Sequence, residues 1–247
     1  LVDKACRALS MHALQRNLYL SEVASYSQKQ QMKEQLGEKE SGMLGLLHRL
    51  KLVCAHPYSV QPDQRLRDHS PKLQWLLQTL EGIKRAGNGD KVIVFSELRD
   101  IQRELQHAIH ERFGFKATVI NGDTSTSSQS AQSRQKLIDQ FQQQPGFSVI
   151  IVSTVAVGIG VNAQAAQHVI RFTRCWNPAK EDQATDRAYR IGQEKDVYVY
   201  YPTVLDSSMQ TFEATLDQLL EKRRALAQDM LHGASEIQVA EFGELLR

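Results

Sequence analysis

Between residues 71 and 205 the hydrophobic positions switch repeatedly between two periods. Leu73, Leu76, Leu77 and Leu80 fall on one stripe of a helix, "AGNGD" has the composition of a turn, and "KVIVF" is a continuous apolar run of strand length. Leu98, Ile101, Leu105, Ala108 and Ile109 mark the next helix, "ATVI" the next strand, and Leu137, Ile138 and Phe141 another helix. "FSVIIVST", "HVIRF" and "VYVYYP" complete the strands. Short strands apolar on both sides, separated by amphipathic helices, predict an α/β fold: a doubly wound, mostly parallel sheet with helices on both faces.

The flanks carry a different pattern. Residues 1 to 56 read as helix throughout, with polar stretches such as "SYSQKQQMKEQLGEKE" between the apolar patches "LQRNLYL" and "MLGLLHRLKLV". Pro57 ends that block, "SVQPDQRLRDHSP" reads as a connector, and Ser70-Pro71 reads as a helix start with proline at its first position. After the last strand, Met209, Phe212, Leu216, Leu219, Leu220 and Leu226 recur at helical spacing. The expected organisation is a helical segment and connector over 1–70, the α/β lobe over 71–205, and an amphipathic helix with a tail over 206–247.

Composition changes this picture little. The chain has 247 residues, 41% hydrophobic and 23% charged, which is ordinary globular usage, and its net charge of +2 leaves any nucleic-acid contact to local patches. Cys6, Cys54 and Cys175 are scattered and odd in number, which argues against a disulfide framework and fits a reducing compartment. Cys54 and His56 lack a second close ligand pair, so no metal site is expected. The longest apolar run, "FSVIIVSTVAVGIGV", is interrupted by Ser, Thr and Gly and is too short to span a bilayer, so no membrane partner is expected.

Ligands of open α/β sheets sit outside the carboxyl ends of the strands. The loops there read "SELRD", "NGDTSTSS", "STVAVGIGVN" and "TRCWNP", rich in the groups that hold phosphate. "GIGVNA" satisfies the dinucleotide fingerprint, but only "NAQAAQ" lies between Gly160-Val161 and the next strand, too little for the crossover helix that a pyrophosphate site needs. The chain contains no Gly-Lys pair, hence no P-loop, and no Asp-Glu pair after an apolar strand to hold magnesium. "QATDRAYRIGQ" puts Gln183, Arg187 and Arg190 on one helical face. A solvated face with an Asp186–Arg190 pair is one reading; an anion held between Arg187 and Arg190, whose like charges otherwise repel, is the other.

In order, "LKLVCAHP", "SPKLQWLLQTL", "KVIVFSE", "INGDTS", "IDQF", "STVAVGIGVNAQAAQHVI", "WNPAKEDQATDRAYRIGQ" and "VYVYY" resemble the second, RecA-like lobe of Swi/Snf-type ATPases of helicase superfamily two. The resemblance covers roughly residues 44 to 232 and is most similar to the bacterial branch. It implies that Arg187 and Arg190 are arginine fingers reaching ATP phosphates held by a first lobe, with Gln183 as a helper. It also implies nucleotide-facing positions at Gly158, Gly160 and Asn162. DNA-backbone positions are implied at Ser96, Gly122, Asp123, Thr124, Ser153, Thr154 and Trp176. Trp176 has a second reading as a buried loop anchor.

The sequence departs from the family pattern at Val157, in place of a glycine, at Glu97, in place of glutamine, and at Thr173, in place of an acid. "SSMQTFEA" also lacks two acids common there. The implied function is the C-terminal motor lobe of an ATP-dependent double-stranded DNA translocase, incomplete without its N-terminal lobe, which would hold most of ATP and Mg2+. Rival readings are a strand-separating DNA or RNA helicase lobe and a degenerate interaction module without catalysis. Expected partners are duplex DNA, the N-terminal lobe and a protein cargo. The expected location is the bacterial cytoplasm and nucleoid, or a nucleus for a eukaryotic source.

Overall fold

In the computed structural model the described residues are 2–36, 42–127, 130, 133–157, 166–186, 196–229 and 237–246. Strands β1 (Val2–Ser10), β2 (Lys91–Phe95), β3 (Thr118–Ile120), β4 (Ser148–Val152), β5 (Ala166–Arg171) and β6 (Val197–Leu205) form a six-stranded sheet of order β1-β6-β5-β2-β4-β3. β2 pairs in parallel with β4 and β5, β3 with β4, and β5 with β6. Every residue of β2, β4 and β5 is buried, whichever way its side chain points, so both faces of the central sheet are covered. The predicted doubly wound, mixed α/β fold is therefore the observed one.

Helix α5 (Arg99–Phe113) carries the chain from β2 to β3 and α6 (Arg134–Gln143) from β3 to β4, each at a parallel crossover. α5 stops at Gly114, whose φ of 77° gives the left-handed turn that a side chain would resist. The core of the sheet is apolar and continuous, with Ile93, Phe95, Ile150, Val152, Val169 and Val199 among its members.

The chain divides into two compact units, one gathering residues 1–7, 75–202 and 220–236 and containing most of the sheet, the other gathering 8–74, 203–219 and 237–247. In the second unit α1 (Ala13–Gln35) and α2 (Met43–Ala55) pack together, and the Gln15 side chain donates to the Val53 and Cys54 carbonyls that end α2, at 2.8 and 3.2 Å. Tyr19 Oη accepts from the Phe212 N–H at 2.9 Å, Lys72 forms a buried ion pair with Glu213, and the Phe212 and Phe242 rings stack at 5.2 Å.

Two expectations are corrected. Residues 1 to 56 are not helical throughout: Val2–Ser10 is a strand at the sheet edge beside β6. "VDKACRALS" has helix formers enough to propagate a helix, but propensity is a weak prior and sheet pairing overrides it. The stretch after Pro57 also holds more structure than a connector needs. It has a 3-10 turn at Pro57–Ser59 and the short helix α3 (Gln64–Asp68), capped by Asp63, whose Oδ1 accepts from the Arg65 N–H at 2.9 Å. Helix α4 (Pro71–Ala86) starts at the proline, as predicted. The last amphipathic helix, α9 (Phe212–Asp229), begins after Met209 because Thr211 Oγ1 caps it, accepting from the Ala214 N–H at 3.1 Å.

His56 is fully buried, and neither ring nitrogen has a hydrogen-bond partner in another described residue. Burial, with Arg67 adding to it, pulls its pKa down from 6.5 to about 4. The unfolded chain therefore binds the extra proton first as pH falls, and stability is lost between pH 6.5 and about 4. We expect His56→Leu to remove about 2 kcal/mol of that pH dependence, read from denaturant unfolding at pH 7 and pH 4.5.

Candidate functional site

The register ends the central strands level with one another: Phe95 pairs with Val152 and Arg171, and Ile120 with Val152. The residues that follow thus share the carboxyl edge of the sheet. Ser96 is fully buried there, its N–H donating to the Val152 carbonyl at 3.0 Å and its own carbonyl accepting from Gln102 Nε2 at 2.6 Å. Ser153 Oγ accepts from the Ala156 N–H at 3.2 Å and so starts the short helix α7 (Thr154–Val157). Thr154 is buried, its Oγ1 3.4 Å from an Arg171 guanidinium nitrogen.

Glu97 and Thr173, two departures from the family pattern, touch each other. The Glu97 N–H donates to Thr173 Oγ1 at 3.0 Å, and Glu97 Oε1 accepts from the Thr154 N–H at 2.8 Å. The carboxylate is thus turned onto the backbone at the start of α7, where the local dipole favours it.

Gly122, Asp123 and Thr124 follow β3 in a turn built by Asn121. Asn121 Oδ1 accepts from the Asp123 N–H at 3.0 Å, and Thr124 Oγ1 from the Asn121 N–H at 3.1 Å. Two residues missed in the sequence hold this turn. Arg99 pairs with Asp123 at 2.8 Å on the surface, and the largely buried Arg134 donates to the carbonyl of Thr124 at 3.1 Å and lies 3.5 Å from that of Ala156 in α7. Arg134 therefore ties the β3 turn to the β4 turn.

After β5 the chain enters α8 (Pro178–Asp186). Asn177 Oδ1 caps it, accepting from the Lys180 N–H at 3.1 Å, and Pro178 presets the first helical φ. Trp176, just before the cap, is half-buried. Gln183 is exposed on the helix. Glu181, with no exposed side-chain surface, faces inward: its oxygens accept from Arg174 Nε at 2.9 and 3.1 Å, from an Arg224 nitrogen at 2.9 Å and from the Cys175 N–H at 3.0 Å. Burial pushes the carboxyl up, but Arg174, Arg171 and Arg224 together hold it below the usual glutamate value of 4.5.

Arg171, fully buried at the end of β5, stacks 3.7 Å over the Phe95 ring and donates to the Glu181 carbonyl and Thr185 Oγ1. Burial lowers its pKa and Glu181 opposes that, so the guanidinium stays charged. One side chain thus connects Thr154, where β4 ends, to α8. The sequence signal was an arginine inside the apolar run "HVIRF", where charge is rarely buried unless paired.

Gly158, Gly160, Asn162, Arg187 and Arg190 lie outside the described residues. Arg187 follows Asp186, the last residue of α8, directly. Among the described residues no group of three or more His, Cys, Asp or Glu side chains could hold a metal ion, and no helix is long and apolar enough to cross a membrane.

A parallel RecA-like sheet with hydroxyl, amide and guanidinium groups at its carboxyl edge defines a helicase-type C-terminal lobe, and residues 71–192 match the helicase conserved C-terminal domain. The chain is 63% identical over 244 residues to Zorya protein ZorD of Escherichia coli, covering 99% of this chain and 22% of ZorD. It is 33% identical over 214 residues to YwqA of Bacillus subtilis (strain 168), covering 84% of this chain and 22% of YwqA. Among solved structures, the Sulfolobus solfataricus SWI2/SNF2 ATPase core in complex with dsDNA aligns with a TM-score of 0.70 and 26% identity, covering 93% of this chain and 46% of that one. The chain belongs to the Swi/Snf-type ATPases, as their C-terminal helicase lobe. It spans about a fifth of the length of the curated relatives it matches.

Removing Glu181 would leave three guanidiniums facing each other with one carboxylate fewer. Glu181→Ala should cost about 3–5 kcal/mol, the usual penalty for breaking a buried ion pair from one side, measured as a shift of the denaturant midpoint.

Proposed function

We propose that this chain is the second motor lobe of an ATP-dependent double-stranded DNA translocase, and that Arg187 and Arg190 act on ATP phosphates held by an N-terminal lobe. The observation that carries this reading is the anchorage of α8. A short helix beside the strand ends is fixed by buried charge and presents Gln183 outward, and in sequence Arg187 and Arg190 come within four residues of its last residue, Asp186. YwqA is provisionally named an ATP-dependent helicase/translocase, and the SWI2/SNF2 core was solved with duplex DNA; both favour the same reading.

The donor set suits phosphate better than a divalent cation. Hydroxyls, backbone N–H groups and guanidiniums gather at the sheet edge, whereas among the described residues no group of three or more His, Cys, Asp or Glu side chains there could hold a metal ion. ATP and Mg2+ would therefore be held mainly by the N-terminal lobe. Phosphoryl transfer spreads charge over the equatorial oxygens, and fingers positioned in advance stabilise it without reorganisation. Gly158, Gly160 and Asn162 would line the same cleft.

Duplex DNA would run along the turns after β2, β3 and β4 and past Trp176. Arg99 offsets the charge of Asp123 there, and the lodging of Glu97 on the Thr154 amide turns onto the backbone a carboxylate that would repel phosphate. Ser96, Ser153 and Thr154 are buried in this conformation, so the exposed part of the track is the Gly122–Asp123–Thr124 turn and Trp176. The protein would work in the cytoplasm, on the nucleoid, and a protein cargo would bind elsewhere on the whole molecule.

Two results test this reading. The purified chain alone should show no ATP hydrolysis above an inactive control, and robust turnover would contradict the two-lobe site. In the full-length protein, Arg187→Ala and Arg190→Ala should each lower kcat on the order of 10³-fold with DNA affinity nearly unchanged. Wild-type turnover in both would return these residues to a solvated face.

A further inference from the structure

Arg224 lies on α9, beyond the residues matched to the helicase domain, and in the same compact unit as α8. Its Nε approaches both Asp182 oxygens at 3.1 and 3.0 Å. One terminal nitrogen bridges Glu181 Oε1 at 2.9 Å and Asp182 Oδ1 at 2.8 Å, and the other reaches Glu221 Oε1 at 2.5 Å. All three guanidinium nitrogens are thus committed to carboxylates. An exposed pair of this kind would contribute little, but the Arg224 side chain is only 12% exposed and that of Glu181 is wholly buried. The contacts hold the arginine's charge more firmly than in water, raising its pKa despite burial.

The two α8 carboxylates that Arg224 grips immediately precede Gln183. Turning α8 by one residue about its axis, roughly 100°, would carry Glu181 and Asp182 away from the fork together. Arg171 and Arg174 fix the helix from the β5 side; Arg224 fixes it from α9. We propose that Arg224 is a positioning residue for ATP hydrolysis: it sets the angle of the helix that presents Gln183 and leads into Arg187 and Arg190. This rests on the finger reading above, and makes turnover depend on a side chain of α9 that meets no phosphate. Lysine would keep the charge but lose the fork.

The test uses the full-length two-lobe protein as wild type, Arg224→Ala, Arg224→Lys and Arg190→Ala, with DNA-stimulated ATP hydrolysis measured against ATP and duplex concentration well below each melting temperature. Arg224→Ala should lower kcat about 10- to 100-fold, as loss of a supporting partner commonly does, with Arg224→Lys intermediate. The KM for ATP and the half-stimulating duplex concentration should stay within about twofold of wild type. If Arg224→Ala does not fold, Arg224→Lys carries the comparison. Wild-type kcat per folded molecule in the Arg224 variants, beside an inactive Arg190→Ala, would overturn the positioning role and leave the fingers standing. An Arg190→Ala protein at wild-type rate would instead overturn the finger reading, and this proposal with it.

Discussion

A carboxylate cut off from water must draw positive charge from its neighbours, and the architecture at the carboxyl edge of this sheet follows from how Glu181 does so. It accepts from Arg174 and Arg224, with Arg171 close by on the carbonyl of the same residue. Taking such a charge out of water is expensive, and the attraction offsets that only where geometry and remaining hydrogen bonds are good. The Cys175 amide satisfies one more lone pair. Each arginine comes from a different place: the end of β5, the loop after it, and α9. The helix is therefore located from three directions at once.

The same network links the two halves of the site. Arg171 reaches Thr154 on one side and α8 on the other, while Arg134 joins the turn after β3 to α7. A shift in the turns that would follow DNA can thus be felt at the helix that would face nucleotide. Glu97 and Thr173 show how departures from a family pattern can compensate. The acid lost at position 173 leaves a hydroxyl for the Glu97 amide, and the acid gained at position 97 turns onto the Thr154 amide.

The sheet was legible because its strands are short and apolar on both faces, a pattern that only a covered parallel sheet explains. "KVIVF" is β2 residue for residue, and β4 lies within "FSVIIVST". Turn and cap chemistry was legible at Pro71 and at the loops after the strands. The strand Val2–Ser10 was not, because an edge strand is defined by its partner and its own sequence favours a helix. Of the residues singled out by motif, Gln183 stands exposed on α8 and Arg187 follows that helix in sequence, outside the described residues. The supporting shell of Arg134, Arg174, Glu181 and Arg224 was not, since 42 to 43 residues separate Arg224 from its acidic partners on α8 and no local pattern encodes that meeting.

The central claim is that this lobe supplies charge to a phosphoryl transition state assembled on another lobe. The most direct measurement compares the affinity of the full-length protein for ADP and for ADP with aluminium fluoride, in wild type and Arg190→Ala. Wild type should bind the transition-state mimic at least about 10²-fold more tightly than ADP, and Arg190→Ala should lose that preference while binding ADP as before. An Arg190→Ala protein that keeps the full preference would contradict the claim.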